Sequence, residues 1–201
     1  LKGDGSVVTW GRTFFSNGGD SGVLASQLSD GVTRIFSNQQ SFAALKRDGS
    51  VITWGSGFYG GNSSGVAPRL SSGVSQVFSN YTSFAALKDT GSVVTWGDSR
   101  SGGNSNAVAH RLTSDVTQIF STHFAYAALK ADGSVVTWGD AQSGGDSSSV
   151  AAQLSSGVTQ VYSSGATFVA LKANGSVVTW GDNPVSRDIS GGNLLERLSS
   201  G

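Results

Sequence analysis

The chain has 201 residues and 20.5 kDa, and its 13 basic residues balance 13 acidic ones. It contains no Cys, which excludes a disulfide framework and thiolate metal sites. Without net positive charge or a basic run it lacks the means to bind nucleic acid through phosphates. The 13% charged residues against 37% hydrophobic ones mark a chain that folds, and no apolar run reaches the ~18–20 residues that cross a bilayer.

In chain order, the first element is LKGDGSVVTWG at 1–11, and it returns at 45–55, 87–97, 129–139 and 171–181. Trp10, Trp54, Trp96, Trp138 and Trp180 are spaced 44, 42, 42 and 42 residues apart, so the chain is a repeat. Asp-Gly or Asn-Gly between Leu-Lys and the Val-Val-Thr-Trp run predicts a tight hairpin turn, because these residues tolerate positive φ; Thr90-Gly91 fits less well. After each Trp-Gly comes a variable stretch and then a Gly pair, at 18–19, 60–61, 102–103, 144–145 and 191–192. Segments such as VLASQL and VAAQL follow, and their length fits either a short fourth strand or one helical turn. Next come VTRIFS, VSQVFS, VTQIFS and VTQVYS, which are β-branched and aromatic and of strand length. Strict alternation places Val158, Gln160 and Tyr162 on one face and Thr159 and Val161 on the other, both partly apolar. A loop and FAALK, YAALK or FVALK complete the unit and pair with the next GSVVTWG.

One three- or four-stranded sheet of this kind cannot bury both faces alone, so units must stack. The fold class is therefore all-β, with β-propeller blades of about 42 residues, four full units and flanking partial units. A β-solenoid competes, but its coils are usually shorter and lack hairpin turns.

The ordered unit of Trp-Gly, Gly-rich loop, Val-x-x-Val strand and Ala-Leu-x-x-(Asp/Asn)-Gly-x-Val-x-x-Trp-Gly hairpin resembles the regulator-of-chromosome-condensation repeat family. It is most similar to the bacterial short-repeat propellers, which include a β-lactamase inhibitory type. The resemblance spans essentially the whole chain. It departs where family members carry a His before the Ala-Leu strand: Ser41, Ser83, Ala125 and Thr167 stand there, and His123 lies two residues earlier. Nucleotide exchange, an activity of that family, has no residue-level support. WD repeats match less well, since their Gly-His partner is missing. The resemblance implies rings of seven blades, roughly 290 residues at this period. A fifth unit would need about 13 more residues; we therefore expect 1–201 to be a single repeat domain within a longer array, and a five-bladed ring completed by another chain or by flanking sequence is the alternative.

In a meander the loops after Phe-Ser and after Trp-Gly share one rim, while the Asp-Gly and Leu-Ser-Ser-Gly turns share the other. The first rim varies between units and carries Phe14, Phe15, Phe58, Tyr59, Tyr81, Arg100, His123 and Phe124. Aromatic and Arg anchors are what interface hot spots use, so these are the candidate binding rim; neutral drift in tolerant loops is the competing reading. The five Trp residues, at identical unit positions, read as inter-blade core. The Leu-Lys lysines read as snorkelling strand-end residues. Asp20, Asn62, Asn104, Asp146 and Asn193 follow the Gly pairs and suit Asx turns better than a Ca²⁺ site. His110 and His123 lack metal-ligand partners, and no nucleophile elbow or phosphate loop occurs. We expect a non-enzyme without cofactor or metal that binds a protein or cell-surface partner, further repeats or a second copy, and neither nucleic acid nor the membrane interior. Adhesion or assembly in a large bacterial surface or secreted protein is the first expectation, and an inhibitor that blocks an enzyme the second.

Overall fold

The computed structural model describes residues 1–10 and 21–182. Twelve strands form four antiparallel sheets of three, each in sequence order. The first holds β1 (Val32–Ser37), β2 (Ser41–Lys46) and β3 (Val51–Gly55). The second holds β4 (Val74–Ser79), β5 (Ser83–Lys88) and β6 (Val93–Gly97), and the third β7 (Val116–Ser121), β8 (Ala125–Lys130) and β9 (Val135–Gly139). The fourth holds β10 (Val158–Ser164), β11 (Thr167–Lys172) and β12 (Val177–Gly181). The sheets are propeller blades. Their first strands touch from blade to blade, β1 to β4 to β7 to β10, and so run innermost. The Ser79 hydroxyl donates to the Ser37 carbonyl (2.9 Å) and Ser121 to Ser79 (3.0 Å), tying neighbouring inner strands at the axis.

The segment left open between strand and helix is helical. Short 3-10 turns at Gly22–Leu24, Ser64–Arg69, Asn106–Arg111 and Ser148–Val150 replace a fourth strand. Each delivers a Leu (Leu28, Leu70, Leu112, Leu154) into the space between blades, where it is buried. The turns also close strand edges. The Leu70 and Leu112 carbonyls accept from Val51 and Val93, while Arg69 and Arg111 donate to the carbonyls of Val93 and Val135 on the following blade. Outer-strand groups that would otherwise sit open to pairing are thus engaged. The Leu-Lys lysines have a definite task too: Lys46, Lys88 and Lys172 donate to the carbonyls of Gln27, Arg69 and Gln153 at the ends of these turns.

The inner strands correct the alternation read from sequence. In all four blades the register slips at the second residue, so β10 pairs Val158 with Lys172 but Gln160 with Leu171. This bulge leaves one residue extra and flips the parity beyond it. Val158 and Val161, three apart, are therefore buried on the same face, while Gln160 and Tyr162 are exposed. The extra residue is Thr33, Ser75, Thr117 or Thr159, whose hydroxyl donates at 3.1 Å to the carbonyl of Leu45, Leu87, Leu129 or Leu171.

The hairpin turns are looser than two residues. Lys46 accepts from Gly49 and donates to Ser50, and only Gly49 takes positive φ (76°). This is a type I turn closed by a Gly bulge. The residue before the Gly needs no left-handed tolerance, which is why Thr90 serves as well as Asp.

The core lies between blades. Ala43, Leu45 and Val51 of the first blade pack with Leu70, Val74, Val77, Phe84, Val94 and Trp96 of the second, and the pattern recurs at the next two interfaces. Trp54, Trp96, Trp138 and Trp180 are each 4% exposed and stack on Phe42, Phe84, Tyr126 and Phe168 with centroids 5.2–5.3 Å apart. Trp10 departs from the inter-blade assignment: it is 84% exposed. In the other units the stacking ring sits twelve residues before the Trp. The Gly pairs serve this packing. The Gly60, Gly102 and Gly144 carbonyls accept the indole N–H of Trp96, Trp138 and Trp180, and a Cβ on Gly102 would sit 2.7 Å from the Tyr126 ring. The oxygens that follow are spent locally, since Asn62, Asn104 and Asp146 accept from the N–H two residues on in Asx turns. Asp20 and Asn193 lie outside the described residues.

Candidate functional site: an aromatic rim on a main-chain frame

The loops after the inner strands form a continuous hydrogen-bonded rung system. The Gln39 N–H donates to the Tyr81 carbonyl (3.2 Å), Tyr81 to His123 (3.1 Å) and His123 to Gly165 (2.7 Å). Each loop thus binds the next around the axis without using a side chain. The loops after Trp-Gly are fastened to the same rim. Asn38 and Asn80 donate to the carbonyls of Tyr59 and Ser101 at 2.6 Å, and Thr122 to Ser143 at 2.8 Å. The same Asn residues accept from the backbone of their own loops: Asn80 Oδ1 takes the N–H groups of Thr82 (3.0 Å) and Ser83 (2.9 Å). The first residue of each variable triplet in the first three units is therefore structural, and the second (Gln39, Tyr81, His123, Gly165) is the one presented at the rim.

The described aromatic candidates fall into two clusters. Tyr81 and His123 lie flat on each other, with centroids 4.2 Å apart and planes at 18°, and the Tyr81 hydroxyl meets His123 Nε2 at 3.0 Å. Phe124 closes on Tyr81 edge-on at 5.5 Å. Tyr81 is 39% and Phe124 37% exposed, in loops whose backbone is held on both sides. The second cluster joins the loops of two blades. Phe58, 57% exposed, meets Tyr59 edge-on at 5.5 Å and lies 5.6 Å beneath the Arg100 guanidinium. Arg100 is itself clamped by the buried Asp98, through Nε to Oδ1 (3.2 Å) and Nη2 to Oδ2 (3.1 Å). Those bonds raise its pKa above the ordinary arginine value. The two parallel bonds orient a guanidinium whose side chain is otherwise 77% exposed. Phe14 and Phe15 lie outside the described residues.

No protein-family model and no curated protein matches this chain. Solved structures do, among them two with TM-scores of 0.50 and 0.52. Human WBSCR16 is 19% identical over 75% of this chain and 47% of its own, with a TM-score of 0.50. Prp20p of Saccharomyces cerevisiae, a protein whose structure was reported with its binding to Gsp1p and histones, is 16% identical over 80% of this chain and 46% of its own, with a TM-score of 0.52. This chain has the RCC1-like repeat fold. It spans less than half the length of either neighbour.

Within the RCC1-like unit, the residues standing where the resemblance expects His have a shared task. Ser41 and Ser83 donate to the carbonyls of Ser56 and Ser101 at 2.8 Å, and Thr167 to Asp182 at 2.8 Å. Small hydroxyls there pin the loop after Trp-Gly to the middle strand. Ala125 makes no such bond, and Thr122 supplies the tie instead. Sequence reasoning missed one further residue. Tyr126 replaces the Phe of the other middle strands and is fully buried, and its hydroxyl donates to the Ser83 carbonyl at 2.8 Å across the blade interface. It also accepts from the Asn80 N–H at 3.2 Å. The signal was the single Tyr in a column of Phe.

Proposed function

We propose that this chain is a non-enzymatic protein-interaction module that captures its partner on the rim carrying Phe58, Tyr59, Tyr81, Arg100, His123 and Phe124. The observation behind this reading is that exposed aromatic rings and an Asp98-paired guanidinium sit on loops tied by main-chain hydrogen bonds. Aromatic and Arg anchors dominate interface energies, and holding them in place before contact removes part of the ordering cost of binding. The non-enzymatic part rests on the sequence, which carries no recognisable catalytic arrangement. In this reading the chain works at a bacterial cell surface or in a secreted protein, in adhesion or assembly. Its low charge, Ser and Gly content and likeness to bacterial short-repeat propellers support that placement. A second reading, an inhibitor that plugs an enzyme cleft, is favoured by the Asp98-paired Arg100 over Phe58, a protruding cluster at the rim.

The test is capture of partners from a cell-envelope fraction on immobilised chain. The triple variant Phe58→Ser, Tyr81→Ser, Phe124→Ser should lose the captured protein, with affinity down about a hundredfold or more. Arg47→Ser with Asp89→Ser, on the opposite rim, should retain it. Equal capture by both variants would overturn the rim reading.

A further inference from the structure

We propose that the axial mouth of this rim holds one neutral pyranose ring, stacked on the open face of His123 above Gly165. The site shares loops with the protein-binding rim but does not depend on that reading.

The rung order Gln39, Tyr81, His123, Gly165 carries the geometry. Chains joined by such hydrogen bonds run about 4.8 Å apart, so side chains at equivalent rungs stack. Tyr81 and His123 do so, and Tyr81 covers one face of the imidazole. The other face looks towards Gly165, where a Cβ would meet nothing within 4 Å among the described residues. Gly165 places no side chain on that rung. The rung opens into a cavity of about 470 Å³, within the range of small-molecule sites.

The lining chooses the ligand. Among the described residues it consists, besides Tyr81 and His123, of Ser and Thr hydroxyls, Asn and Gln amides and Gly165, with no Asp, Glu, Lys or Arg. An ion would be drawn from water with no counter-charge to meet it. An aromatic or proline side chain would fill the rung yet leave the surrounding hydroxyls without partners. A neutral sugar satisfies both demands, with an apolar C–H face for the imidazole and hydroxyls at its rim. The hydroxyls nearest the Gly165 rung are available. Ser79 and Ser121 donate inward to the preceding blade, whereas Ser163 and Ser164 make no side-chain hydrogen bond among the described residues. The Tyr81 hydroxyl on Nε2 fixes the imidazole plane, so the platform is set before a ligand arrives.

The chain has two histidines, which makes the test readable by imidazole NMR. His110 sits in the 3-10 turn Asn106–Arg111 and serves as the internal reference. Methyl pyranosides of glucose, galactose, mannose and N-acetylglucosamine are each added to the intact chain at on the order of 10 mM. At least one should shift the His123 signals, leave those of His110 in place and show saturation transfer to its ring protons. Gly165→Asn, which tolerates the left-handed φ of 52° and fills the rung, should weaken that binding at least about tenfold. His123→Leu should do the same by saturation transfer, and Gly65→Ala, in open space in another turn, should leave it unchanged. If no pyranoside moves His123, or if both Gly165→Asn and His123→Leu bind as the parent does, the proposal is wrong. A shift produced by N-acetyl-tyrosine amide and by no pyranoside also overturns it and assigns the slot to a partner side chain. Protein capture on the rim is scored separately, so either reading can fail alone.

Discussion

Tyr126 shows how one hydroxyl can serve two blades. Burial pushes its pKa well above the ordinary tyrosine value, because ionisation inside the interface has no compensating solvent. Unfolded, the phenol titrates near pH 10. Above that pH the unfolded state loses the proton first, so stability is full below about pH 10 and falls as pH rises further. Denaturant titrations at pH 8 and pH 11 should show this loss in the parent and a smaller one in Tyr126→Phe. At pH 8 the variant should be about 1 kcal/mol less stable, the usual value of a lost hydrogen bond. Asp115 offers the opposite case. It holds φ at 65°, where the other units place Gly31, Gly73 and Gly157. Asp115→Gly should therefore stabilise the chain by about 0.5–1 kcal/mol, read as a raised denaturation midpoint at unchanged m-value.

The unit's connection is as structural as its strands. Gly103 passes so close to the preceding strand end that a Cβ would lie 2.3 Å from the Gly97 carbonyl oxygen, a backbone atom that cannot swing aside. Gly103→Ala should cost more than about 3 kcal/mol or prevent folding, measured by chemical denaturation. Gly65→Ala, with nothing nearby, should lie within about 0.5 kcal/mol of the parent. How much of this was legible varied by element. The GSVVTW and FAALK strands were, because β-branched runs bounded by turn residues leave few alternatives. The inner strand was misread although its Val-x-x-Val spacing was in plain view: alternation assumes an unbroken ladder, and the Thr159 bulge breaks it. The Gly pairs were located by sequence, but their purpose depended on a Trp 36 residues away. The rim residues could be named in sequence. Their grouping could not, because Tyr81 meets His123 and Phe58 meets Arg100 across blades, and adjacency there is set by the ring.

On the scale of the whole molecule, stability is divided among repeated interfaces, each bridging two neighbours. Identical letters therefore carry unequal weight. Trp96 is 4% exposed in an interface between blades, whereas Trp10 is 84% exposed among the described residues. Trp96→Ser should lower stability by about 3–5 kcal/mol, whereas Trp10→Ser should change it by less than about 0.5 kcal/mol. Thermal melts followed by far-UV circular dichroism would separate the two, and similar losses would mean that Trp10 is covered in solution. The circumferential ladder through Gln39, Tyr81, His123 and Gly165 has one more consequence. Because it consists of peptide groups alone, it is indifferent to the side chains it displays. Gene duplication or loss of one 42-residue unit would shift the displayed letters by a whole place and leave their spacing untouched. The rim can thus be rewritten by recombination in a single event, with no core residue needing to change.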